Sequence, residues 1–341
     1  MSTTPPAVPI IDVSPFVDGT GDKAPIAEAL GRACRDTGFF YVVGHGVSEP
    51  LQERLESLSR EFFALAEKQK LEIAMSRGGR AWRGYFPVGG ELTSGKPDIK
   101  EGLYFGAELS ADHPGVKSGL PLHGANLFPR APAALRDTVL DYIDELTRLG
   151  HVLMSAIALS LGLEENFFEA HYTRDPLVLF RIFNYPPPES LGAGDEAWGV
   201  GEHTDYGVLT ILKQDDCGGL EVKTRSGWAE AAPIRGSFVC NLGDMLDRMT
   251  GGLYRSTPHR VRNRAGRSRL SFPFFFDPNF HARVKPLPIK GAEPLVDDQH
   301  ERWDRSSVHA FQGSYGDYLL GKVSKVFPQL QREVLDERKG R

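Results

Sequence analysis

A chain of 341 residues with 40% hydrophobic and 25% charged residues has an ordinary globular composition, and is long enough to bury a large core as one big domain or two smaller ones. Its 45 acidic and 40 basic residues leave a formal charge of −5 with no basic block, which removes the general electrostatic reason to expect nucleic-acid binding. Cys34, Cys217 and Cys240 are too few and too scattered for a disulfide framework, so free, mostly buried thiols in a reducing compartment are expected. The opening Met-Ser-Thr-Thr-Pro-Pro-Ala lacks a basic region followed by an apolar run, and the longest apolar-rich stretch, 152–163, is too short to span a bilayer. These features predict a cytoplasmic protein with no membrane and no nucleic-acid partner.

In chain order, Asp22 can cap a helix through Ile26, Leu30 and Ala33 that Gly38 stops, and Phe39-Phe40-Tyr41-Val42-Val43 follows as a buried strand. Ser48 and Pro50 open a second helix whose Leu51, Leu55, Leu58, Phe62 and Leu65 have amphipathic spacing. Residues 76–126 are rich in Gly, Pro and aromatics without a sustained period; so long an irregular stretch is expected to shape a binding site. A long helix from near Pro132 to Gly162 carries Leu135, Val139, Tyr142, Leu146, Leu149 and Leu153 on one face, a natural backing for a sheet.

From about residue 177 the texture changes to short β-type runs: 178–185, 208–213, 220–223, 237–242, 254–261, 269–276 and 283–285. Turn signals separate them, which indicates a sandwich or barrel and not a βαβ fold. A final helix is expected near 315–326. The predicted division is an N-terminal region of helices, edge strands and substrate-side loops (7–126), a long helix and linker (127–174), a β core (175–285) and a C-terminal extension (286–341).

His203-Thr204-Asp205 and His259 are the candidate metal ligands. Strand residues two apart point the same way, so His203 and Asp205 can reach one ion while a neighbouring strand brings His259. Two imidazoles and one carboxylate with open positions suit a non-haem Fe(II) oxygenase, but zinc hydrolases use the same donors, and these residues alone do not choose. Arg269 and Ser271 share one strand face before the apolar run Phe272-Pro273-Phe274-Phe275-Phe276. A guanidinium there needs an anionic partner, which is either a bound carboxylate or a structural Asp or Glu. Arg83, Tyr85, Tyr104 and Phe105 from the irregular stretch, with Phe275, are candidates for a substrate pocket; Arg181, two pleats before Tyr185 on the same strand face, could reach it too, but a surface ion pair is the expectation. His45, His113, His123, His151, His171, His281, His300 and His309 sit in no comparable setting and are expected to be structural or solvated.

Taken together, Asn184-Tyr185-Pro186, His203-Thr204-Asp205-Tyr206-Gly207, Gly218-Gly219-Leu220, Asn241-Leu242-Gly243-Asp244, Ser256-Thr257-Pro258-His259-Arg260-Val261 and Arg269-Leu270-Ser271-Phe272 resemble the isopenicillin N synthase-like branch of the Fe(II)/2-oxoglutarate-dependent oxygenases. Val8-Pro9-Ile10-Ile11-Asp12 and the segment from Gly38-Phe39-Phe40 to Gly44-His45-Gly46-Val47 look like that family's N-terminal region. The resemblance implies a mainly-β chain: a double-stranded β-helix (jelly-roll) core with buttressing helices and an N-terminal α/β region. It implies that His203, Asp205 and His259 bind Fe(II), that Arg269 and Ser271 hold the distal carboxylate of 2-oxoglutarate, that Tyr185 contacts this co-substrate, and that Phe275 packs on substrate. The implied activity uses O₂ to hydroxylate, desaturate or cyclise a small organic metabolite while 2-oxoglutarate is decarboxylated to succinate. Some family members carry the same Arg-x-Ser without using 2-oxoglutarate, so an Fe(II) oxidase independent of it is the alternative, and a non-catalytic binding protein of the same fold a second. A small-molecule substrate is the one partner implied, with a monomer as the default.

Overall fold

Alternation at a period of two organises the structure, a computed structural model that describes residues 8–93, 95–192, 198–289, 307–328 and 332. In chain order the strands are β1 (Ile10–Asp12), β2 (Phe39–Val43), β3 (Gly84–Phe86), β4 (Leu92–Thr93), β5 (Lys96–Pro97), β6 (Glu101–Gly106), β7 (Leu177–Tyr185), β8 (Val200–His203), β9 (Leu209–Gln214), β10 (Leu220–Thr224), β11 (Gly227–Glu230), β12 (Phe238–Leu242), β13 (His259–Val261) and β14 (Arg269–Asp277). An eight-stranded sheet runs β1-β2-β12-β9-β14-β7-β6-β3, a four-stranded sheet runs β11-β10-β13-β8, and β4 and β5 form a separate hairpin.

On β14, Leu270, Phe272, Phe274 and Phe276 face outward, and Phe276 lies against His151 of the long helix Leu135–Ser160. The alternate residues Arg269, Ser271, Pro273, Phe275 and Asp277 face an internal cavity between the sheets. β7 behaves likewise: Phe180 packs against Tyr142 of the same helix, while Arg181, Phe183 and Tyr185 face the cavity. Both faces of these strands are therefore covered, which is why they lack polar alternation in the sequence. The long helix ends where Gly162 turns to φ 71° and Leu163 N–H donates back to Ala158 O at 3.0 Å.

The structure corrects the sequence expectations in several places. The irregular stretch 76–126 adds two strands, β3 and β6, to the large sheet; they are short and buried on both faces, so no periodicity marks them. The run 254–261 is a strand only at His259–Val261, after Pro258 has interrupted the donor ladder. Residues 283–285 contribute a single bridge, Arg283 to Ser314, and no strand. β8 and β11 match none of the predicted runs. Helix Ala24–Asp36 begins after Lys23, with Asp22 Oδ1 accepting from Ala24 N–H at 2.9 Å.

The final helix, Tyr315–Val326, starts in a reciprocal capping box of Ser314 and Asp317. It is tied to the core by Tyr315 OH donating to Asp277 Oδ2 at 2.5 Å and Tyr318 OH donating to Asp244 Oδ2 at 2.6 Å. All three cysteines are free, with Cys34 and Cys240 buried. Among the described residues no helix is long and apolar enough to cross a membrane. The opening seven residues and His300 lie outside the described residues.

Candidate metal centre

Two antiparallel strands of the small sheet bring the histidines together. β8 ends at His203, β13 begins at His259, and the two residues are direct register partners with ring centroids 4.2 Å apart. Asp205 follows two residues beyond the strand end, and its Oδ1 lies 4.0 Å from His203 Nε2 and 3.8 Å from His259 Nε2. One donor atom from each residue lies within 4.8 Å of the others, the spread three ligands need to share one ion.

The orientation of each donor is set from behind. His203 Nδ1 sits 2.8 Å from Gly201 O and His259 Nδ1 3.1 Å from Thr257 O. A carbonyl can only accept, so the proton resides on Nδ1 and the Nε2 lone pairs point at the shared point. Asp205 Oδ2 accepts from Thr210 Oγ1 and from Asn241 Nδ2, each at 2.6 Å, leaving Oδ1 for a metal. Burial, and then the neighbouring His259, push the His203 imidazole down to about 3. Burial works to raise the Asp205 carboxyl, but His259 and His203, with the Asn241 and Thr210 hydrogen bonds, bring it below its ordinary value. A His203 imidazole held neutral and an Asp205 carboxyl held ionised are in the donor states that bind a divalent cation.

Arg269 lies on the inner face of the large sheet, 1% exposed and opposite Tyr185. Its Nε donates to Gly218 O at 2.6 Å, its Nη2 donates to Gln214 Oε1 at 3.1 Å, and its guanidinium stands 4.9 Å from the Tyr185 ring centroid. Gly218 and Gly219 both have positive φ, and a Cβ on Gly219 would strike the Arg262 carbonyl, so the turn presenting Gly218 O needs glycine. No carboxylate pairs with Arg269 among the described residues, and its Nη1 is buried without a hydrogen-bond partner. Ser271 Oγ donates to Tyr185 OH at 3.3 Å beside it. The structural salt bridge left open by the sequence is absent here, and an unpaired buried guanidinium is costly unless an anion arrives.

The metal donors, Arg269, Ser271 and Tyr185 all border the one cavity, whose apolar walls include Phe183, Phe275, Leu319, Val323 and Phe327. Of the residues expected to form a substrate pocket, Tyr104 and Phe275 line it, but Arg83, Tyr85 and Phe105 lie elsewhere. Arg83 donates to the carbonyls of Phe105 and Leu122, Tyr85 OH donates to Glu101 Oε2 beneath Phe62, and Phe105 stacks on Phe128. Alternation explains part of this: on β6, if Tyr104 faces the cavity then Phe105 faces away. Arg181, expected at the surface, is buried on the cavity wall. The alternative placement, two pleats from Tyr185 on the same face of β7, is the one the fold adopts. Asn241 was marked only as part of a family-like segment, and Thr210, Gln214, Glu91 and Lys100 carried no signal: Gln214 meets Arg269 from far along the chain, while Thr210 and Lys100 meet nearby partners through turns that no periodicity marks.

Two family descriptions match this chain: non-haem dioxygenase in morphine synthesis N-terminal, over residues 8–131, and 2OG-Fe(II) oxygenase superfamily, over residues 175–278. The chain is 52% identical to a Dictyostelium discoideum protein described as a probable iron/ascorbate oxidoreductase, across 96% of this chain and 97% of the relative. It is 38% identical to a 1-aminocyclopropane-1-carboxylate oxidase of Dictyostelium mucoroides (94% and 95% covered) and to a homoarginine-6-hydroxylase of Arabidopsis thaliana (95% and 90% covered). Among solved structures it is similar to a 2OG-Fe(II) oxygenase family protein from Caulobacter crescentus, at 27% identity and a TM-score of 0.77, covering 94% and 99% of the two chains.

Proposed function

Because the chain belongs to the 2OG-Fe(II) oxygenase superfamily and is a dioxygenase of jelly-roll fold acting on a small metabolite, we propose that His203, Asp205 and His259 hold its Fe(II) and that Arg269, Ser271 and Tyr185 receive the distal carboxylate of 2-oxoglutarate. The observation that carries this is Arg269: a buried guanidinium with an unpartnered Nη1, bordering the same cavity as the three metal donors. Bound Fe(II) with 2-oxoglutarate and O₂ supplies the oxidising power, 2-oxoglutarate leaving as succinate and CO₂.

The protein's share is positioning. Gly201 O and Thr257 O hold the two imidazoles; Thr210 and Asn241 hold one carboxylate oxygen of Asp205 and so free the other. Gly218 O and Gln214 pin the Arg269 fork so that its remaining edge meets an incoming carboxylate, with Ser271 as a second donor. Leu319 and Val323 on the final helix give the cavity an apolar wall, and a low-dielectric wall strengthens the electrostatic contacts beside it. A complete donor set with its supporting hydrogen bonds counts against a non-catalytic binding protein.

Two of the relatives are named for amino acids, homoarginine and 1-aminocyclopropane-1-carboxylate, and this supports an amino acid as the substrate. Free thiols support a reducing, cytoplasmic compartment, and a monomer is kept as the default. The test is succinate release from 2-oxoglutarate with Fe(II), O₂ and a panel of L-amino acids. Amino-acid-dependent succinate is expected; O₂ uptake without succinate would instead favour the 2-oxoglutarate-independent oxidase. His259→Ala is expected to lose bound iron, and unchanged iron content would refute the ligand assignment.

A further inference from the structure

The cavity holds a second buried guanidinium. Arg181 lies four residues before Tyr185 on the same face of β7, two pleats or about 13 Å along the strand from the Arg269 end. It is 6% exposed, and its Nη1 donates to the backbone carbonyls of Phe105 (3.1 Å) and Phe180 (3.2 Å). Its Cζ stands 3.5 Å from the Tyr104 ring centroid and 5.9 Å from that of Phe275. Among the described residues no carboxylate lies within ion-pairing distance of it.

At the hydroxyl end of Tyr104 is a compact charged cluster. Tyr104 OH donates to Glu91 Oε1 at 2.5 Å; Lys100 Nζ lies 2.9 Å from Glu91 Oε2 and 2.7 Å from Asp98 Oδ2, which also accepts from Thr93 Oγ1 at 2.8 Å. Two carboxylates against one ammonium give this cluster a formal excess of one negative charge, and Glu91, Thr93 and Lys100 border the cavity. Thus a positive group lies against the ring of Tyr104 and a net negative one at its hydroxyl, in a low-dielectric space.

A neutral ligand would leave Arg181 balanced only at a distance, by Glu91 of the cluster and by Asp277 on the same cavity wall. A simple anion would neutralise Arg181 and leave the cluster's excess charge unbalanced. A zwitterion satisfies both. We infer that the substrate is a free α-amino acid whose carboxylate pairs with Arg181 and whose ammonium faces Glu91, so that its side chain is the part presented for oxidation. This rests on the reading of the cavity as the substrate site of a 2-oxoglutarate dioxygenase, and it assigns Arg181 and Glu91 as the residues that set specificity.

The experiment uses the Fe(II)-loaded enzyme under anaerobic conditions with 2-oxoglutarate, and follows thermal stabilisation by L-amino acids, each beside its carboxamide and its N-acetyl derivative. Aerobic succinate formation is measured with the same compounds. At least one free acid is expected to stabilise the enzyme and to stimulate succinate release, with its carboxamide and N-acetyl forms weaker by at least about 30-fold. Arg181→Met is expected to erase the preference for acid over amide, and Glu91→Gln the preference for free amine over N-acetyl. Loss of one preference with retention of the other is an outcome that misfolding cannot produce. Equal response to acids and amides, response to no acid, or an Arg181→Met enzyme that still prefers the acid would overturn the inference. Enzyme that binds 2-oxoglutarate but turns over only neutral compounds refutes this inference alone; enzyme that binds no 2-oxoglutarate refutes the reading beneath it.

Discussion

Thr210→Val tests whether the metal site is organised from behind Asp205. The substitution keeps the branched shape and removes one hydroxyl, which now donates at 2.6 Å to Asp205 Oδ2 inside a buried site. A hydrogen bond to a charged group contributes about 1.5–3 kcal/mol, and that bond exists with or without metal, so the metal-free protein is expected to lose roughly that much stability. Metal affinity should fall by less, because only the orientation and the acidity of the carboxylate are at stake; supporting residues of this kind typically matter by about 10–100-fold, and with Asn241 still in place about 10-fold is expected.

The acidity sets a direction for pH. The Thr210 hydrogen bond is among the influences holding the Asp205 carboxyl below its ordinary value, so removing it lets protons compete better with metal, and the affinity deficit should widen as pH falls. Calorimetric titration of the apo enzyme with Fe(II) or Co(II) at several pH values measures this, with urea unfolding run alongside. A Thr210→Val protein that binds metal as tightly as its parent, with the same pH dependence, would refute the argument.

Arg269→Met should raise the KM for 2-oxoglutarate by about 100-fold, within the range for truncating one partner of a buried charge pair, as read from succinate formation against 2-oxoglutarate concentration. Arg269→Lys should recover little of this, because an ammonium cannot serve Gly218 O, Gln214 and a carboxylate together; an unchanged KM in either variant would contradict the clamp. Asp277 gives a stability prediction: burial pushes its carboxyl up to about 7 against the Tyr315 hydrogen bond that pulls it down. The folded state therefore keeps a proton the unfolded chain has already lost, and the stability this contributes, full below about pH 4, is lost as pH rises to about 7. Asp277→Asn lacks that component, so between pH 5 and pH 8 the metal-free variant should gain about 2–3 kcal/mol on its parent in urea unfolding, and parallel pH profiles would exclude the effect.

Several features were legible along the chain because their causes are local. The long helix Leu135–Ser160, the strand Phe39–Val43 and the capped final helix follow from periodicity and capping within a few residues. Arg269 and Ser271 share a strand face, and Asp205 lies only two residues past His203 at a strand end, so each pairing is local and needs no tertiary knowledge. The strands β3 and β8 escaped notice because each is too brief for a period to register, and β6 because it is buried on both faces and mixes glycine and glutamate with its apolar residues.

What the sequence by itself determined was the chemistry: two imidazoles, a carboxylate, a guanidinium and a hydroxyl at spacings that strands can present together. It could not determine what stands next to what across the chain. Whether Arg269 met a structural carboxylate or an open cavity depended on Gly218, Gln214 and Tyr185 arriving from three other segments. Arg181 and Arg83 are alike in sequence terms, both arginines near aromatics, yet one borders the cavity and the other is held by the carbonyls of Phe105 and Leu122. The physical reason is that sheet register and packing decide which buried charge finds a partner within the fold and which is left facing a ligand.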